Sequence, residues 1–243
     1  KVLPMSQIVL ELKGISKTFP GVKALNEMQL QVYAGEVHAL MGENGAGKST
    51  LMNIINGSYQ KDSGEIYPDE GSITFDGKPY SARGPADAIN KGISMIHQEL
   101  NYVPALTVAD NIFLGRELVS GKWLQKQKML EQAQKLLDEM EIHLDPASKM
   151  CDLSVSQQQM VEIAKALSTN AKILIMDEPT SSLTSKEIDD LFRIIRKLKA
   201  EGCGIVYISH RLEELAHIVD RVTIMRDGQF ITKGNFRDMT MDQ

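Results

Sequence analysis

The sequence predicts an α/β fold in which a mostly parallel sheet is flanked by helices. Residues 37–41 form a mostly apolar run, which is typical of a strand buried on both faces of a parallel sheet. Further along, the apolar runs 173–176 and 205–208 enclose a helical pattern, and such a strand-helix-strand unit connects parallel strands. The 243 residues and the apolar fraction of 42% suit a globular domain with a sizeable core.

An antiparallel β subdomain is predicted near the beginning of the chain. Leu10 and Leu12 alternate with polar residues along the first predicted strand, and residues 72–78 alternate in the same way. The second of these runs contains Asp76-Gly77, which is a strong hairpin signal. We therefore expect a small antiparallel sheet beside the parallel one.

A helical subdomain is predicted in the middle of the chain, where apolar residues recur at helical spacing in two stretches. The first stretch contains Leu130, Ala133, Leu137 and Met140, and the second contains Met160, Ile163, Ala164 and Leu167. We expect a single domain in which residues 1–98 and 169–243 form the α/β core with its β subdomain. Residues 99–168 would form the helical subdomain.

A phosphate-binding loop follows the first buried strand. The motif G-x-x-x-x-G-K-[ST] is matched by Gly42, Glu43, Asn44, Gly45, Ala46, Gly47, Lys48 and Ser49, and Thr50 comes next. Glycines let the backbone approach a phosphate closely, and a helix beginning at Lys48 would point its free N–H groups at the anion. Lys48 is expected to bridge the β- and γ-phosphates, and the Ser49 hydroxyl to ligate Mg²⁺. These features predict a P-loop NTPase core.

Two carboxylates follow the apolar run 173–176. Asp177 and Glu178 would lie at the carboxyl end of a parallel strand, which is where ligands bind in open α/β sheets. Asp177 is expected to hold Mg²⁺, and Glu178 to orient or deprotonate an attacking water molecule. Together with the phosphate-binding loop, this pair predicts nucleotide hydrolysis.

The charge balance and the cysteine count exclude several classes of function. The chain has 27 basic and 32 acidic residues, a formal net charge of −5 and no dense basic cluster, so nucleic-acid binding is disfavoured as the main activity. The longest apolar runs have the length of a strand, so we do not expect the chain to cross a bilayer by itself. Two cysteines, Cys151 and Cys203, favour a reducing, cytosolic setting.

Five further segments resemble motifs of the nucleotide-binding domain of an ABC transporter. They are Phe19 at the adenine-stacking position, Gln98 at the Q-loop, Leu153, Ser154, Val155, Ser156 and Gln157 at the signature motif, Ser181, Ser182, Leu183 and Thr184 at the D-loop, and His210 at the switch histidine. They occur in the order that the family has. With the phosphate-binding loop and the carboxylate pair, the resemblance covers nearly the whole chain.

The resemblance implies an ATPase that uses ATP and Mg²⁺. It implies catalytic roles for Lys48, Gln98, Glu178 and His210, phosphate contacts from residues 42–50, and Mg²⁺ ligands among Ser49, Gln98 and Asp177. The signature residues 154–157 fit an N-cap followed by an amphipathic helix, and a helix N-terminus attracts anions. In the family this signature reaches the γ-phosphate bound by an opposite domain, so that ATP lies between two domains.

The chain departs from the family pattern at three positions. Val155 and Ser156 stand where the signature motif usually has two glycines, and Thr184 stands where the D-loop usually ends in Asp. Loss of the second glycine affects how closely the backbone can approach a phosphate. Together with the segments 98–101 and 106–115, the signature resembles that of the monosaccharide importers, particularly the galactose and methyl-galactoside type.

This narrower resemblance implies partners and a location. Because residue 1 is Lys and these importers fuse two ATPase domains, we expect a fragment: the first half of a tandem protein, cut near Gln243. Expected partners are a second ABC domain, fused or homodimeric, transmembrane permease subunits and, indirectly, a periplasmic or extracellular sugar-binding protein. The stretch after Gln98 would receive a cytoplasmic helix of the permease. The chain would then lie peripherally on the cytoplasmic face of the inner (plasma) membrane.

Three alternatives stay open. The first is the ATPase of a ribose-, xylose- or arabinose-type importer. The second is a regulatory domain that binds ATP with little hydrolysis. The third is a soluble ABC protein of DNA repair or translation, against which the acidic balance and the lack of a long heptad insertion weigh.

Overall fold

The computed structural model describes residues 7–62 and 71–238, so both ends of the expected fragment, Lys1 and Gln243, lie outside the described residues. The strands are β1 (Ile8–Phe19), β2 (Val22–Tyr33), β3 (Val37–Met41), β4 (Ser72–Phe75), β5 (Lys78–Pro79), β6 (Ile93–Ile96), β7 (Val119–Ser120), β8 (Trp123–Leu124), β9 (Ile173–Asp177), β10 (Gly204–Ile208), β11 (Arg221–Arg226) and β12 (Gln229–Asn235). The α-helices are α1 (Lys48–Ile55), α2 (Pro85–Lys91), α3 (Val108–Ile112), α4 (Lys126–Glu139), α5 (Val155–Leu167), α6 (Ser185–Ala200) and α7 (Leu212–Ile218).

The chain divides into two units. The first comprises residues 1–95, 171–178 and 195–243, and the second comprises residues 96–170 and 179–194. The main difference from the predicted division concerns residues 179–194, which group with the helical unit. Two side chains in that segment contact the helical unit: Glu187 hydrogen bonds Ser156, and Arg193 forms an ion pair with Glu141.

The first unit contains a six-stranded, mostly parallel sheet in the order β12-β11-β3-β10-β9-β6. β3 pairs in parallel with β10 and β11, β10 pairs in parallel with β9, and β12 is antiparallel to β11. Every residue of β9 and β10 is buried, as is all of β3 except Met41. The predicted strands buried on both faces are therefore confirmed. Their carboxyl ends lie at one edge of the sheet.

A second, four-stranded sheet of the same unit has the order β2-β1-β4-β5, with β1 antiparallel to β2 and β4. Asp76 and Gly77 between β4 and β5 both have positive φ, of 50° and 71°, as a type I′ hairpin turn requires. The antiparallel hairpin predicted from these two residues is confirmed. Leu12 of this sheet belongs to the same buried apolar cluster as Ile175 and Val206, so one core serves both sheets.

The second unit is built mainly of helices, as predicted. α3 packs against both α4 and α5. α4 buries Met129, Ala133 and Leu137, whereas Leu130 is only partly buried. The short hairpin of β7 and β8 was not predicted, because two residues per strand form no alternating pattern. No helix in the described ranges has both the length and the apolar composition needed to cross a membrane.

A fully buried asparagine, Asn111 of α3, closes the loop that precedes its own helix. Its Oδ1 accepts a hydrogen bond from Val103 N at 2.8 Å, and its Nδ2 donates to the carbonyl oxygens of Val103 at 3.1 Å and Thr107 at 2.9 Å. Thr107 and Asp110 also form a capping box at the start of the helix. Residues 103–107 are therefore fixed against α3 through one amide group.

Asn111→Ala is expected to lower the free energy of unfolding by about 1–3 kcal/mol, because it deletes three hydrogen bonds at a buried position. Urea denaturation measures this change. Asn101→Ala is the matched control, since Asn101 is exposed and its side chain donates one bond, to Glu99 O. The control should change stability by less than about 0.5 kcal/mol. Equal losses of stability in the two variants would contradict the role of the Asn111 amide in fixing residues 103–107.

Candidate nucleotide-binding site

The loop between β3 and α1 needs glycine at both of its ends. A Cβ atom at Gly42 would lie 2.5 Å from the carbonyl oxygen of Met225, and one at Gly47 would lie 2.7 Å from that of Ala24. Gly47 also has a φ of 98°, which other residues rarely adopt. The loop is therefore packed closely against neighbouring backbone, while residues 43–45 at its tip are exposed.

Helix α1 begins with N–H groups that no side chain caps. Its N-cap residue is Gly47, which offers no side-chain acceptor, and its first turn contains no acidic residue. The free N–H groups and the helix dipole give this terminus a partial positive charge. A phosphate group is the kind of ligand that such a terminus binds.

Lys48 adds a full positive charge to the loop. Its Nζ atom donates hydrogen bonds to the carbonyl oxygens of Gly42 at 2.7 Å and Glu43 at 3.0 Å. Ser49, which is exposed, and Thr50 follow in the first turn of α1. Lys48 thus places its positive charge beside the uncapped N–H groups of α1.

Asp177 is the last residue of β9 and is only 9% exposed. Burial raises the pKa of its carboxyl group above the ordinary value for Asp, the negative charge of Glu178 adds to this effect, and the positive charge of Lys48 opposes it. Lys48 and Asp177 are therefore close enough to interact electrostatically. The structure brings the phosphate-binding lysine and the strand-end carboxylate together, although Lys48 and Asp177 are 129 positions apart in the sequence.

Glu178 follows β9 in an unusual backbone conformation, with a φ of 47°. Its N–H donates to the carbonyl oxygen of Ile208 at 3.0 Å, and its Oε1 atom lies 3.0 Å from Nδ1 of His210. The side chain of His210 is 69% exposed, so the imidazole can reach solvent while it touches the carboxylate. Such a pair can orient a water molecule between the carboxylate and the imidazole.

The oxygen donors at this edge of the sheet fit Mg²⁺ in chemical type. The carboxylate of Asp177 and the hydroxyl of Ser49 are hard ligands, which Mg²⁺ prefers. Within residues 7–62 and 71–238, no group of three or more His, Cys, Asp and Glu side chains could hold a metal ion. Mg²⁺ commonly uses one or two protein ligands together with substrate phosphates, and this donor set suits that arrangement.

Phe19, predicted to stack on adenine, ends strand β1. Its ring meets Tyr59 edge to face, with ring centroids 5.4 Å apart and an interplanar angle of 74°. Nζ of Lys17 lies 5.4 Å from the Phe19 centroid. Sequence reasoning missed Tyr59, because a single aromatic residue after a helix matches no motif. Both rings offer apolar surface on which a base could stack.

Gln98 and the signature residues belong to the second unit. Gln98 is exposed and follows β6 by two positions. Ser154 is the N-cap of α5, where its hydroxyl accepts from Gln157 N at 3.3 Å and its own N–H donates to Oε1 of Gln157 at 2.9 Å. The predicted N-cap is therefore confirmed. The side chain of Val155 is 56% exposed at this helix terminus.

Glu187 connects the D-loop to the signature motif inside the second unit. Its Oε2 atom accepts from the N–H and the hydroxyl of Thr184, both at 2.8 Å, and the carboxylate also hydrogen bonds the side chain of Ser156. Burial acts to raise the pKa of Glu187, but these hydrogen bonds outweigh it and hold the pKa below the ordinary value for Glu. The contact with Ser156 was missed because it depends on how α5 and α6 pack.

Similarity to known proteins decides the family. The family model described as ABC transporter matches residues 25–181, which is well over half of the chain. The chain belongs to the ABC transporter family. The sequence-based resemblance and the α/β fold class are confirmed.

One curated ABC relative is the "Galactose/methyl galactoside import ATP-binding protein MglA" of Yersinia pestis, which is 53% identical over 235 residues. The match covers 97% of this chain and 45% of that protein, so the chain spans less than half of the relative's length.

Two solved ABC structures share the fold. The ADP conformation of the ATP-binding cassette MJ1267 has a TM-score of 0.79 at 31% identity, covering 95% of this chain and 92% of the other. A dimeric, post-hydrolysis cassette MJ0796 with ADP and Pi has a TM-score of 0.79 at 26% identity, covering 95% and 100%.

Asp177→Asn is expected to raise the free energy of unfolding of the nucleotide-free protein by about 0.5–2 kcal/mol at neutral pH. Because the folded state raises the pKa of Asp177, the ionised carboxylate disfavours folding, and the amide removes that cost. The wild type should recover stability relative to the variant as the pH falls from above the raised pKa to below the ordinary Asp pKa.

Urea denaturation at neutral and acidic pH measures both effects. Asp189→Asn, at an exposed position of α6, is the matched control and should change stability by less than about 0.5 kcal/mol. A loss of stability in Asp177→Asn at neutral pH would show that the carboxylate is instead stabilised by its surroundings.

Proposed function

We propose that this chain is the ATP-binding and ATP-hydrolysing domain that powers import of a monosaccharide through separate membrane subunits. The observation that carries the proposal lies in the first unit. There, the uncapped N-terminus of α1 with Lys48 lies near a buried Asp177, and the Glu178–His210 pair follows directly. This combination suits a polyanionic substrate that is cleaved by water.

In the proposed complex, the β- and γ-phosphates of ATP lie against the N–H groups of the loop and of α1. The Nζ atom of Lys48 would leave its two carbonyl acceptors for phosphate oxygens, because charge-assisted bonds are stronger than bonds to neutral carbonyls. Phe19 would stack on the adenine. Ser49 and Asp177 would hold Mg²⁺, which supplies positive charge to the phosphates when it is bound.

Hydrolysis would use the carboxylate at the end of β9. Glu178 would accept a proton as a water molecule attacks the γ-phosphorus, and ADP would leave with the bridging oxygen. Lys48 and His210 would donate hydrogen bonds to the γ-phosphate oxygens, where negative charge accumulates. Because Oε1 of Glu178 contacts Nδ1 of His210, the carboxylate would also orient the imidazole so that its other nitrogen faces the substrate.

The site would be completed by a second ABC domain. The N-terminus of α5 carries Ser154 at an exposed position, held by its capping box, and a helix N-terminus is complementary to a phosphate. We propose that this terminus reaches the γ-phosphate bound by the opposite domain. The dimeric cassette with ADP and Pi supports such pairing by analogy.

We propose galactose or a methyl galactoside as the transported sugar, because a relative that is 53% identical is named as a galactose/methyl galactoside import protein. The ribose-, xylose- or arabinose-type importer is the alternative. Permease subunits and a sugar-binding protein would be the partners, and the cytoplasmic face of the inner membrane would be the location. The proposed second ABC domain could belong to the same polypeptide, since the match covers only 45% of that relative.

Glu178→Gln is expected to retain ATP binding and to abolish ATP turnover in the assembled transporter, because the amide can still accept a hydrogen bond but cannot take a proton from water. The measurement uses the full-length protein co-purified with its permease subunits. ATP hydrolysis is followed while binding protein loaded with galactose or with ribose is added, and ATP affinity is measured separately.

Glu213→Gln is the matched control, since Glu213 is an exposed residue in the first turn of α7 outside the proposed site. It should leave turnover unchanged. Full turnover by Glu178→Gln would refute the proposed role of this carboxylate. Stimulation by ribose-loaded protein alone would favour the alternative sugar class, and ATP binding without hydrolysis by the wild type would favour a regulatory domain.

A further inference from the structure

An exposed apolar hairpin in the second unit takes no part in the proposed ATPase. β7 and β8 pair with Val119 opposite Leu124 and Ser120 opposite Trp123. Val119, Trp123 and Leu124 are 61%, 81% and 52% exposed, which is unusual for three large apolar side chains within six residues. Because directly paired residues share a face, Val119 and Leu124 occupy one face of the hairpin and Trp123 the other.

The sequence segment that contains the hairpin is basic, although the chain is acidic overall. Lys122 lies in the turn, Lys126 and Lys128 begin α4, and all three are exposed. Glu117 is the sole acidic residue between positions 114 and 128. Arg116 does not contribute to this surface in the same way, because its guanidinium group is half-buried and donates to backbone oxygens of α3 and α5.

We propose that this hairpin is a membrane-surface anchor that binds the anionic phospholipids of a bilayer. Both faces of the hairpin carry exposed apolar side chains. Insertion among lipid chains buries both faces at once. Tryptophan suits the boundary between headgroups and acyl chains, and lysines on long apolar stems can reach the lipid phosphates.

The charge of the three lysines selects anionic over neutral lipids. Each lysine near such a surface strengthens binding, and salt screens the attraction. Two short strands insert little apolar area, so the anchor would be weak and reversible on its own. In the transporter it would add to the contact with the permease by raising the effective concentration at the bilayer. This inference rests on the proposed function, which places the chain at the cytoplasmic face of the inner membrane.

Trp123 is the only tryptophan of the chain, so its fluorescence reports directly on the hairpin. The chain is mixed with vesicles of phosphatidylcholine and phosphatidylglycerol at low ionic strength. We expect a blue shift of the emission and co-sedimentation with the vesicles, both lost at high salt and absent with phosphatidylcholine alone. ATP binding is measured on the same preparation.

Three variants test the assignment by co-sedimentation. Lys122→Gln/Lys126→Gln is expected to weaken binding by about fivefold for each lysine removed. Trp123→Ala should weaken it without any change in charge. Lys78→Gln/Lys135→Gln, which removes two exposed charges elsewhere, is the matched control and should bind as the wild type does.

Unshifted emission and no co-sedimentation with the anionic vesicles would overturn the inference, as would equal losses in the lysine pair and its control. A shift that occurs only when permease in detergent is added would overturn it in favour of a protein contact. ATP binding without vesicle binding would remove this inference and leave the proposed function intact. Vesicle binding without ATP binding would contradict the proposed function and leave the binding of the hairpin to lipid intact.

Discussion

The parallel pairing of β9 with β10 is the constraint on which the rest of the site depends. Its register sets Asp177 opposite Ile208, so the residues that follow the two strands emerge at the same edge of the sheet. The bond from Glu178 N to Ile208 O extends the pairing by one step, and the contact between Glu178 and His210 lies directly beyond it. Because β3 is also parallel to β10, the phosphate-binding loop leaves the sheet at this edge as well. One sheet geometry thus gathers three distant segments of the chain.

Several features of this edge lower the stability of the fold. The N-terminus of α1 lacks a side-chain cap, the carboxylate of Asp177 is buried, and Glu178 adopts a left-handed φ. The apolar core shared by the two sheets offsets these costs. A ligand that supplies phosphate oxygens and a cation would satisfy the first two features at once, so binding would stabilise the protein. The same features that weaken the nucleotide-free fold are therefore those that suit it to nucleotide.

Much of the fold was predictable because the signals are local. Buried strands appear as apolar runs, as at 173–176, and the helix after the phosphate-binding loop follows from its motif. The sequence could not reveal features that depend on packing between distant segments, such as the contact of Glu187 with Ser156 or the ring of Tyr59 against Phe19. The β7–β8 hairpin escaped detection because its strands are too short for a periodic pattern. The chemical roles of the site residues stay predictions, since geometry places the groups without showing turnover.

The central claim is that ATP held by the loop of one domain is completed by the signature residues of another. The most direct measurement is the ATPase rate per molecule of the 243-residue chain over a wide range of protein concentration. The account predicts that the ATPase rate per molecule rises steeply with protein concentration. It also predicts that Lys48→Ala abolishes ATP hydrolysis at every concentration. A constant rate per molecule, maintained on dilution and lost in Lys48→Ala, would contradict the claim, because a single domain would then suffice.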